Sequence, residues 1–258
     1  MKTALFTGDW HCGHFGGLTP PEYQFSPKSK DPSRAKLASV QSALWDFYVS
    51  RVDEMKPQVI VLNGDAIDGK GDKSGGTELI STDRRVQCEM AAQAIRRSGA
   101  VSRLLLYGTG YHVGDDEDWE AVLADIVGAE IGSHEFPEIE GVVFDVRHHM
   151  GSSAHAYLRG TPLKKEAQQA ALWYRRGLIP FASWLVRNHV HWYEHIEDGD
   201  YGHMVTCPAL QWDTKFGKRR CGGTIDLGLL QFDCEDGYAE MTAHLIDMDD
   251  YKIKTVKL

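Results

Sequence analysis

Aspartates and histidines recur in short clusters along this chain of 258 residues. In the first cluster, Asp9 and His11 are separated by one residue, so a turn can point both side chains the same way. His189 and His191 repeat this spacing with two imidazoles. Similar polar residues between these clusters are Asp65, Asp68, His112, His148 and His149.

These residue types indicate the kind of metal that the clusters would bind. Carboxylates and imidazoles together suit Zn, Mn, Fe or Ni, whereas Mg and Ca sites are built from oxygen ligands. The set exceeds the four ligands of a single structural zinc. An aspartate between two groups can bridge two ions, and two ions roughly 3.5–4 Å apart form a clamp for phosphoryl chemistry. We therefore expect two divalent metal ions and a water that becomes hydroxide near neutral pH.

Predicted strands position these clusters. Apolar runs indicate strands at 2–7, 59–62, 103–107, 142–147 and 182–187, and each is followed by one of the polar clusters. Apolar residues at helical spacing predict helices at 35–55, 82–98, 120–127 and 164–177, and further strands are expected at 226–233 and 238–246. This alternation predicts an α/β fold with mostly parallel strands. In such folds ligands bind at the carboxyl ends of the strands, where distant clusters meet.

Composition limits the class of protein. No linker divides the chain, so a single domain over 1–258 is expected, and no apolar run is long enough to span a membrane. Five widely spaced cysteines without a CxxC motif, and no signal peptide, favour a reducing, cytoplasmic location. A net charge of -9 argues against non-specific nucleic-acid binding. Lys218 and Arg219, in the basic segment 215–220, could still bind a phosphate-bearing substrate; a solvated turn is the alternative.

Five motifs in order, "GDWH", "GDAID", "GTGYH", "HH" and "NHVH", resemble those of the calcineurin-like metallophosphoesterase family. The resemblance runs from about residue 3 to about residue 235. It implies a β-sandwich flanked by helices, with a metal site at the carboxyl ends of the strands. It also implies that a phosphoester is hydrolysed at a dinuclear metal centre by a bridging hydroxide.

The resemblance implies ligands for a first metal ion and a bridge to a second. Asp9 and His11 would bind the first ion together with His191. Asp65 would bridge both ions.

The second metal ion would be bound by His189 and by one of two neighbouring histidines. His148 is favoured because it directly follows the predicted strand, and His149 is the fallback. Asp68 would orient a ligating histidine. The resemblance implies that Asp68 and His112 are the catalytic residues.

The third motif departs from the family pattern. The family has Gly-Asn-His there, with the asparagine on the second metal and the histidine on the substrate phosphate, whereas this chain reads "GTGYH" at 108–112. His112 either keeps the substrate-facing role, which we prefer, or takes the place of the asparagine. The usual glycine before the H-x-H motif is also replaced, by Asn188.

These observations predict a phosphodiesterase, with a nucleotide or a nucleic acid as the candidate partner. A phosphomonoesterase is the first alternative, and a protein-binding scaffold that has lost catalysis is the second, because the asparagine is missing. His14 either faces the substrate or belongs to a surface loop. The sequence does not indicate an oligomeric state.

Overall fold

Apolar strands build a first sheet whose centre is parallel. The structure is a computed structural model that describes residues 1–71, 75–114, 117–153, 155–199, 202–214 and 225–247. The strands of this sheet are β1 (Lys2–Thr7), β2 (Val59–Asn63), β3 (Ser102–Leu106), β4 (Glu130–Gly132), β10 (Gly228–Glu235) and β11 (Tyr238–Leu245). Their order is β11-β10-β1-β2-β3-β4, with β1 to β4 parallel and β10 and β11 joined antiparallel to them.

The second sheet also has parallel strands at its centre, with antiparallel strands at its edges. It contains β5 (Glu138–Ile139), β6 (Val142–Arg147), β7 (Trp184–Arg187), β8 (Glu194–Asp198) and β9 (Gly202–Thr206). The order is β5-β6-β7-β9-β8. The central strands β6, β7 and β9 are parallel, whereas β5 and β8 pair antiparallel at the edges.

Helices cover the outer faces of both sheets. They are α1 (Pro32–Met55), α2 (Arg84–Arg97), α4 (Trp119–Val127) and α5 (Gly160–Arg175). A single-turn helix, α3 (Gly110–Val113), follows β3 and carries His112. Buried side chains of α1, α2 and α4 pack on the first sheet, and those of α5 pack on the second. Within the described ranges, no helix has both the length and the apolar character that a membrane crossing requires.

Aromatic side chains fill the space between the two sheets. The ring centroids of Phe6 and Phe144 are 4.8 Å apart, and those of Phe144 and Phe232 are 5.0 Å apart. All three side chains are fully buried. Because they come from β1, β6 and β10, they join strands of both sheets into one apolar layer.

The predicted fold class is confirmed: two sheets form a sandwich flanked by helices. The predicted parallel order holds at the centre of each sheet, and antiparallel strands complete the edges. Helix α1 begins earlier than predicted because Asp31 caps it and Pro32 suits the first turn. That residues 1–258 form one domain stays a prediction.

Candidate metal centre

The carboxyl ends of strands from both sheets bring the aspartates and histidines together. Ligand atoms lie within 4.8 Å of one another in three groups. These groups are Asp9, His11 and His191; His11, Asp65 and His112; and Asp65, His148 and His189. We call the first group the first cluster and the third group the second cluster.

The three groups overlap and so form one continuous site. His11 belongs to the first cluster and to the middle group, and Asp65 belongs to the middle group and to the second cluster. Asp65 therefore connects the second cluster to the middle group, as expected of a bridging carboxylate. His112 is grouped with His11 and Asp65, and it does not enter the second cluster.

The backbone at the site is strained. Eight residues other than glycine have positive φ in the described part of the chain, and five of them belong to the three groups. These five are Asp9 (51°), His11 (45°), Asp65 (52°), His189 (74°) and His191 (59°). A left-handed conformation costs a residue with a Cβ roughly 1–2 kcal/mol. Such strain persists where the surrounding structure enforces it, and it concentrates at functional sites.

Two glycines allow the loops to approach the ligands closely. A Cβ on Gly108 would lie 2.2 Å from Asp65 Oδ1. A Cβ on Gly64, whose φ is +78°, would lie 2.5 Å from His148 Nδ1. Neither position has room for a side chain, so the glycines of the second and third motifs are required by packing around the site.

Asp9 has one oxygen bound by the protein and one left free. Its Oδ2 accepts hydrogen bonds from Asn188 Nδ2 at 3.1 Å and from the backbone N–H of His189 at 3.0 Å. Its Oδ1 is buried without a hydrogen-bond donor, although His191 Nε2 lies 3.3 Å away. A buried carboxylate oxygen without a donor is costly and calls for a cation or another partner.

Asp65 is held in a similar way. Its Oδ1 accepts the backbone N–H of Thr109 at 2.7 Å. Its Oδ2 lies 3.1 Å from His148 Nε2 and 3.2 Å from Thr109 Oγ1. His112 Nε2 lies 4.0 Å from the same oxygen. Oδ2 therefore faces side chains from the loops after β3 and β6 at once.

Hydrogen bonds fix the orientation of three imidazoles. His148 Nδ1 donates to the carbonyl of Asn63 at 2.7 Å, and His112 Nδ1 donates to the carbonyl of Asp68 at 2.8 Å. His11 Nδ1 lies 3.1 Å from Asp68 Oδ1. Since a carbonyl only accepts, neutral His148 and His112 carry their lone pair on Nε2, which faces the site. His11 Nε2 is buried without a hydrogen-bond partner.

The three aspartates are ionised at neutral pH. Burial alone would raise the pKa of Asp9, but His191 and His148 lower it below its usual value. Burial opposes ionisation of Asp65 as well, yet His148 and His112 bring its pKa well below the usual range. The pKa of Asp68 is lowered against the effect of burial, chiefly by its hydrogen bond with His11. The site therefore concentrates negative charge in a buried place.

The imidazoles respond to this charge in different ways. Burial would lower the pKa of His148, but Asp65 and Asp9 raise it to about 10. Burial lowers the pKa of His189 to about 4. The pKa of His112 is lowered by burial and then by His11. In the protein without metal, His148 is therefore a cation beside Asp65, whereas His189 and His112 are neutral.

These residues fit divalent cations. Ionised carboxylates and neutral imidazoles are the donors that such ions take, and each orienting hydrogen bond leaves a second polar atom for a metal. The unpartnered Asp9 Oδ1 and His11 Nε2 both lie in the first cluster. The clusters are therefore candidate sites for divalent metal ions.

Other residues predicted for the site lie outside the three groups. His149 is exposed, and its ring packs on that of His189 with centroids 4.6 Å apart. His14 is 5% exposed, and its Nδ1 accepts the backbone N–H of Gly16 at 3.0 Å. Lys218 and Arg219 fall outside the described residues, so their predicted role stays a prediction.

Sequence reasoning missed several residues that hold the site. Thr109 contacts three members of the second cluster through its hydroxyl. Glu120 is buried and accepts the backbone N–H groups of Ala66 and Gly108. Gln211 Nε2 lies 3.4 Å from Asp68 Oδ1. The place of Thr109 directly after the glycine of the third motif was the one available signal.

Comparisons with known proteins give only distant likenesses. No family model and no curated protein matches the chain. Similar solved structures include wild-type Vps29 of Entamoeba histolytica complexed with zinc, at 12% identity and a TM-score of 0.48, covering 94% of this chain and 98% of that one. Vps29 of Chaetomium thermophilum has 9% identity and a TM-score of 0.48, covering 95% and 97%. A predicted phosphoesterase of Streptococcus pneumoniae has 11% identity and a TM-score of 0.42, covering 95% and 89%. With TM-scores below 0.5, these likenesses carry no weight for the function of this chain.

Proposed function

We propose that this chain is a metal-dependent phosphoester hydrolase with a dinuclear metal centre. The observation that carries the proposal is the pair of buried atoms without hydrogen-bond partners, Asp9 Oδ1 and His11 Nε2. Both atoms belong to the first cluster. The middle group, which contains His11 and Asp65, connects this cluster to the second one. Two adjacent divalent sites joined by a carboxylate suit phosphoryl chemistry.

Each cluster would hold one ion, with Asp65 shared between them. Asp9, His11 and His191 would hold the ion of the first cluster. His148 and His189 would hold the ion of the second, in place of the alternative His149. When bound, the pair of ions would activate a water molecule and offset the negative charge of the phosphoester; Mn, Fe, Zn and Ni are the candidates.

Asp68 and His112 would support the reaction from beside the ions. Asp68 orients His11 through Nδ1 and so keeps Nε2 directed at the first cluster. His112 donates a hydrogen bond from Nδ1 to the Asp68 carbonyl, so it can exchange a proton with a substrate only through Nε2. Its place outside the second cluster supports the substrate-facing role over that of a substitute ligand.

A phosphodiester is the substrate class that we propose. Among the described residues, the ion pairs of Asp9, Asp65 and Asp68 all have histidine partners, so no permanent cation reinforces the site. A diester carries less charge than a monoester dianion and needs less compensation. The net charge of -9 favours a small, nucleotide-like partner over an extended nucleic acid. The four cysteines in the described part of the chain are buried and free, which supports a reducing, cytoplasmic location.

The proposal is tested by the Asp65→Asn variant assayed with bis- and mono-(4-nitrophenyl) phosphate in added Mn²⁺. We expect turnover of the diester to fall more than about 100-fold, because the shared carboxylate is lost while the size of the side chain is kept. Asp125→Asn, at an exposed carboxylate on α4, is the matched control and should keep wild-type turnover. Full wild-type activity in chelator, or in Asp65→Asn, would refute a metal-dependent hydrolase.

The same assay separates the enzyme from its alternatives. Faster turnover of the monoester than of the diester would identify a phosphomonoesterase. A wild-type protein that binds metal and turns over neither ester would contradict the enzyme and favour a binding scaffold.

A further inference from the structure

The hydroxyl of Thr109 lies among the three donors of the second cluster. Its Oγ1 is 3.2 Å from Asp65 Oδ2, 3.4 Å from His148 Nε2 and 3.2 Å from His189 Nδ1. Asp65 Oδ2 and His148 Nε2 are themselves 3.1 Å apart. Thr109 directly follows the glycine of the third motif, but its residue type alone did not indicate a role in the site.

These separations match those between ligands that share one cation. In a tetrahedral site with bonds of about 2.0–2.1 Å, neighbouring ligand atoms are roughly 3.3–3.4 Å apart. An atom that occupied the position of the cation itself would lie much closer to the three donors. Thr109 Oγ1 is therefore placed as a further corner of the cluster.

In the protein without metal, hydrogen bonds join these atoms. His148, which is a cation there, faces Asp65 Oδ2 with Nε2, and the hydroxyl of Thr109 can donate to the same oxygen. A divalent cation would displace the Nε2 proton of His148, because its Nδ1 proton is held by the Asn63 carbonyl. His148 Nε2, Asp65 Oδ2 and the hydroxyl oxygen would then direct lone pairs at one place, which the cation would occupy.

The backbone fixes the hydroxyl at this place. The N–H of Thr109 donates to Asp65 Oδ1 at 2.7 Å, and the N–H of Gly108 donates to Glu120 Oε2 at 2.6 Å. Asp65 is thus bound by the main chain of Thr109 and contacted by its side chain. A substitution that keeps the shape of the threonine leaves this backbone arrangement intact.

We propose that Thr109 Oγ1 is a fourth protein donor to a divalent cation in the second cluster. The inference rests on the proposed metal centre and adds a ligand to it. A neutral hydroxyl is a weaker donor than a carboxylate or an imidazole. The second cluster should therefore bind its ion less tightly than the first, and the two ions should enter in sequence.

The test compares Thr109→Val, which keeps the shape without the hydroxyl, with Thr109→Ser, which keeps the hydroxyl. Chelator-treated proteins are titrated with Mn²⁺ by calorimetry, and bound Mn²⁺ is counted by electron paramagnetic resonance. The wild type should bind two ions in two steps. In Thr109→Val the weaker step should lose about 10-fold or more in affinity, whereas Thr109→Ser should stay close to the wild type.

The possible failures are distinguishable. Binding of two ions by Thr109→Val with wild-type affinities would overturn the role of Thr109 and leave the metal centre standing. Binding of no ion by the wild type would overturn both. If Thr109→Val does not fold, Thr109→Ala takes its place, and a second ion held by Thr109→Ala as tightly as by Thr109→Ser overturns the inference.

Discussion

At the scale of single residues, the candidate ligands divide their polar atoms between the protein and the site. Oδ2 of Asp9 accepts hydrogen bonds from Asn188 and from the backbone N–H of His189, whereas Oδ1 has no hydrogen-bond donor. His148 donates a hydrogen bond from Nδ1 to the carbonyl of Asn63, and its Nε2 faces the site. Such bonds fix the tautomer and the direction of a ligand before any ion arrives.

His148 should make the stability of the metal-free protein depend on pH. Burial would lower its pKa, but Asp65 and Asp9 raise it to about 10, above the roughly 6.5 of an unfolded chain. A group whose pKa is raised on folding stabilises the fold fully below the unfolded pKa, and this contribution disappears as the pH rises through the folded pKa. We expect the free energy of unfolding in chelator to fall between about pH 6.5 and pH 10, measured by urea denaturation.

His148→Gln should show a smaller fall over the same range. His155→Gln, at an exposed imidazole, is the control and should keep the wild-type profile. An unchanged pH dependence in His148→Gln would contradict the charged state of His148.

Sequence reasoning identified the charged and imidazole ligands because clusters of Asp and His follow five successive predicted strands. It did not identify Thr109 as a member of the site, because a threonine after a glycine is common in loops. It also left His148 and His149 open. The geometry separates these two, since adjacent side chains leave a turn in different directions and only His148 reaches Asp65.

At the scale of elements, helix α4 supports two of the loops that carry the site. Glu120 is 1% exposed; its Oε1 accepts the N–H of Ala66 at 3.0 Å and its Oε2 accepts the N–H of Gly108 at 2.6 Å. Burial, followed by the charge of Asp65, raises the pKa of this carboxyl to about 7. One side chain thus joins the loop after β2 to the loop after β3.

Replacing Glu120 by Gln should weaken this connection. An amide offers one oxygen, so either the buried N–H of Ala66 or the partly buried N–H of Gly108 would lose its acceptor, at a cost of about 1–3 kcal/mol in the free energy of unfolding. We expect that loss at pH 8, measured by chemical denaturation, together with weaker Mn²⁺ binding. Glu130→Gln, at an exposed site in β4, should change stability by less than about 0.5 kcal/mol. Equal stability of Glu120→Gln and the wild type would contradict the role of this carboxylate.

The boundaries of elements show what local sequence determines. The end of α1 at Met55 was predicted, and its start was missed because the cap at Asp31 lies in a stretch rich in loop-forming residues. The start of α5 at Gly160 was also missed, since no side chain caps that helix. Short strands such as β4 and β5 have too few residues to show an alternating pattern.

At the scale of the whole molecule, the apolar layer between the sheets holds the two halves of the site together. Asp9 and Asp65 follow strands of the first sheet, whereas His148 and His189 follow strands of the second. The sequence did not show which strands belong to the first sheet and which to the second, because the strands of both sheets have similar apolar runs. The two-layer arrangement was expected only from the resemblance.

Phe144→Ala should test this layer. The ring is fully buried between Phe6 and Phe232, and its removal leaves a cavity that costs about 3–5 kcal/mol. Phe181→Ala, at a ring that is 63% exposed, is the matched control and should change the free energy of unfolding much less. Thermal and urea unfolding measure both. Similar losses in the two variants would show that Phe144 does not join the sheets.

The left-handed backbone at the site has a consequence for how such a chain can change over generations. Asp9, Asp65 and His191 occupy conformations that glycine adopts without a penalty. Glycine would relieve the backbone strain at each of these places, and every such replacement would erase a candidate ligand. At Asp9 and Asp65 it would also leave the backbone N–H groups of His189 and Thr109 without their acceptors. These two aspartates are therefore maintained by two demands at once, the hydrogen bonds of their own loops and whatever the site binds.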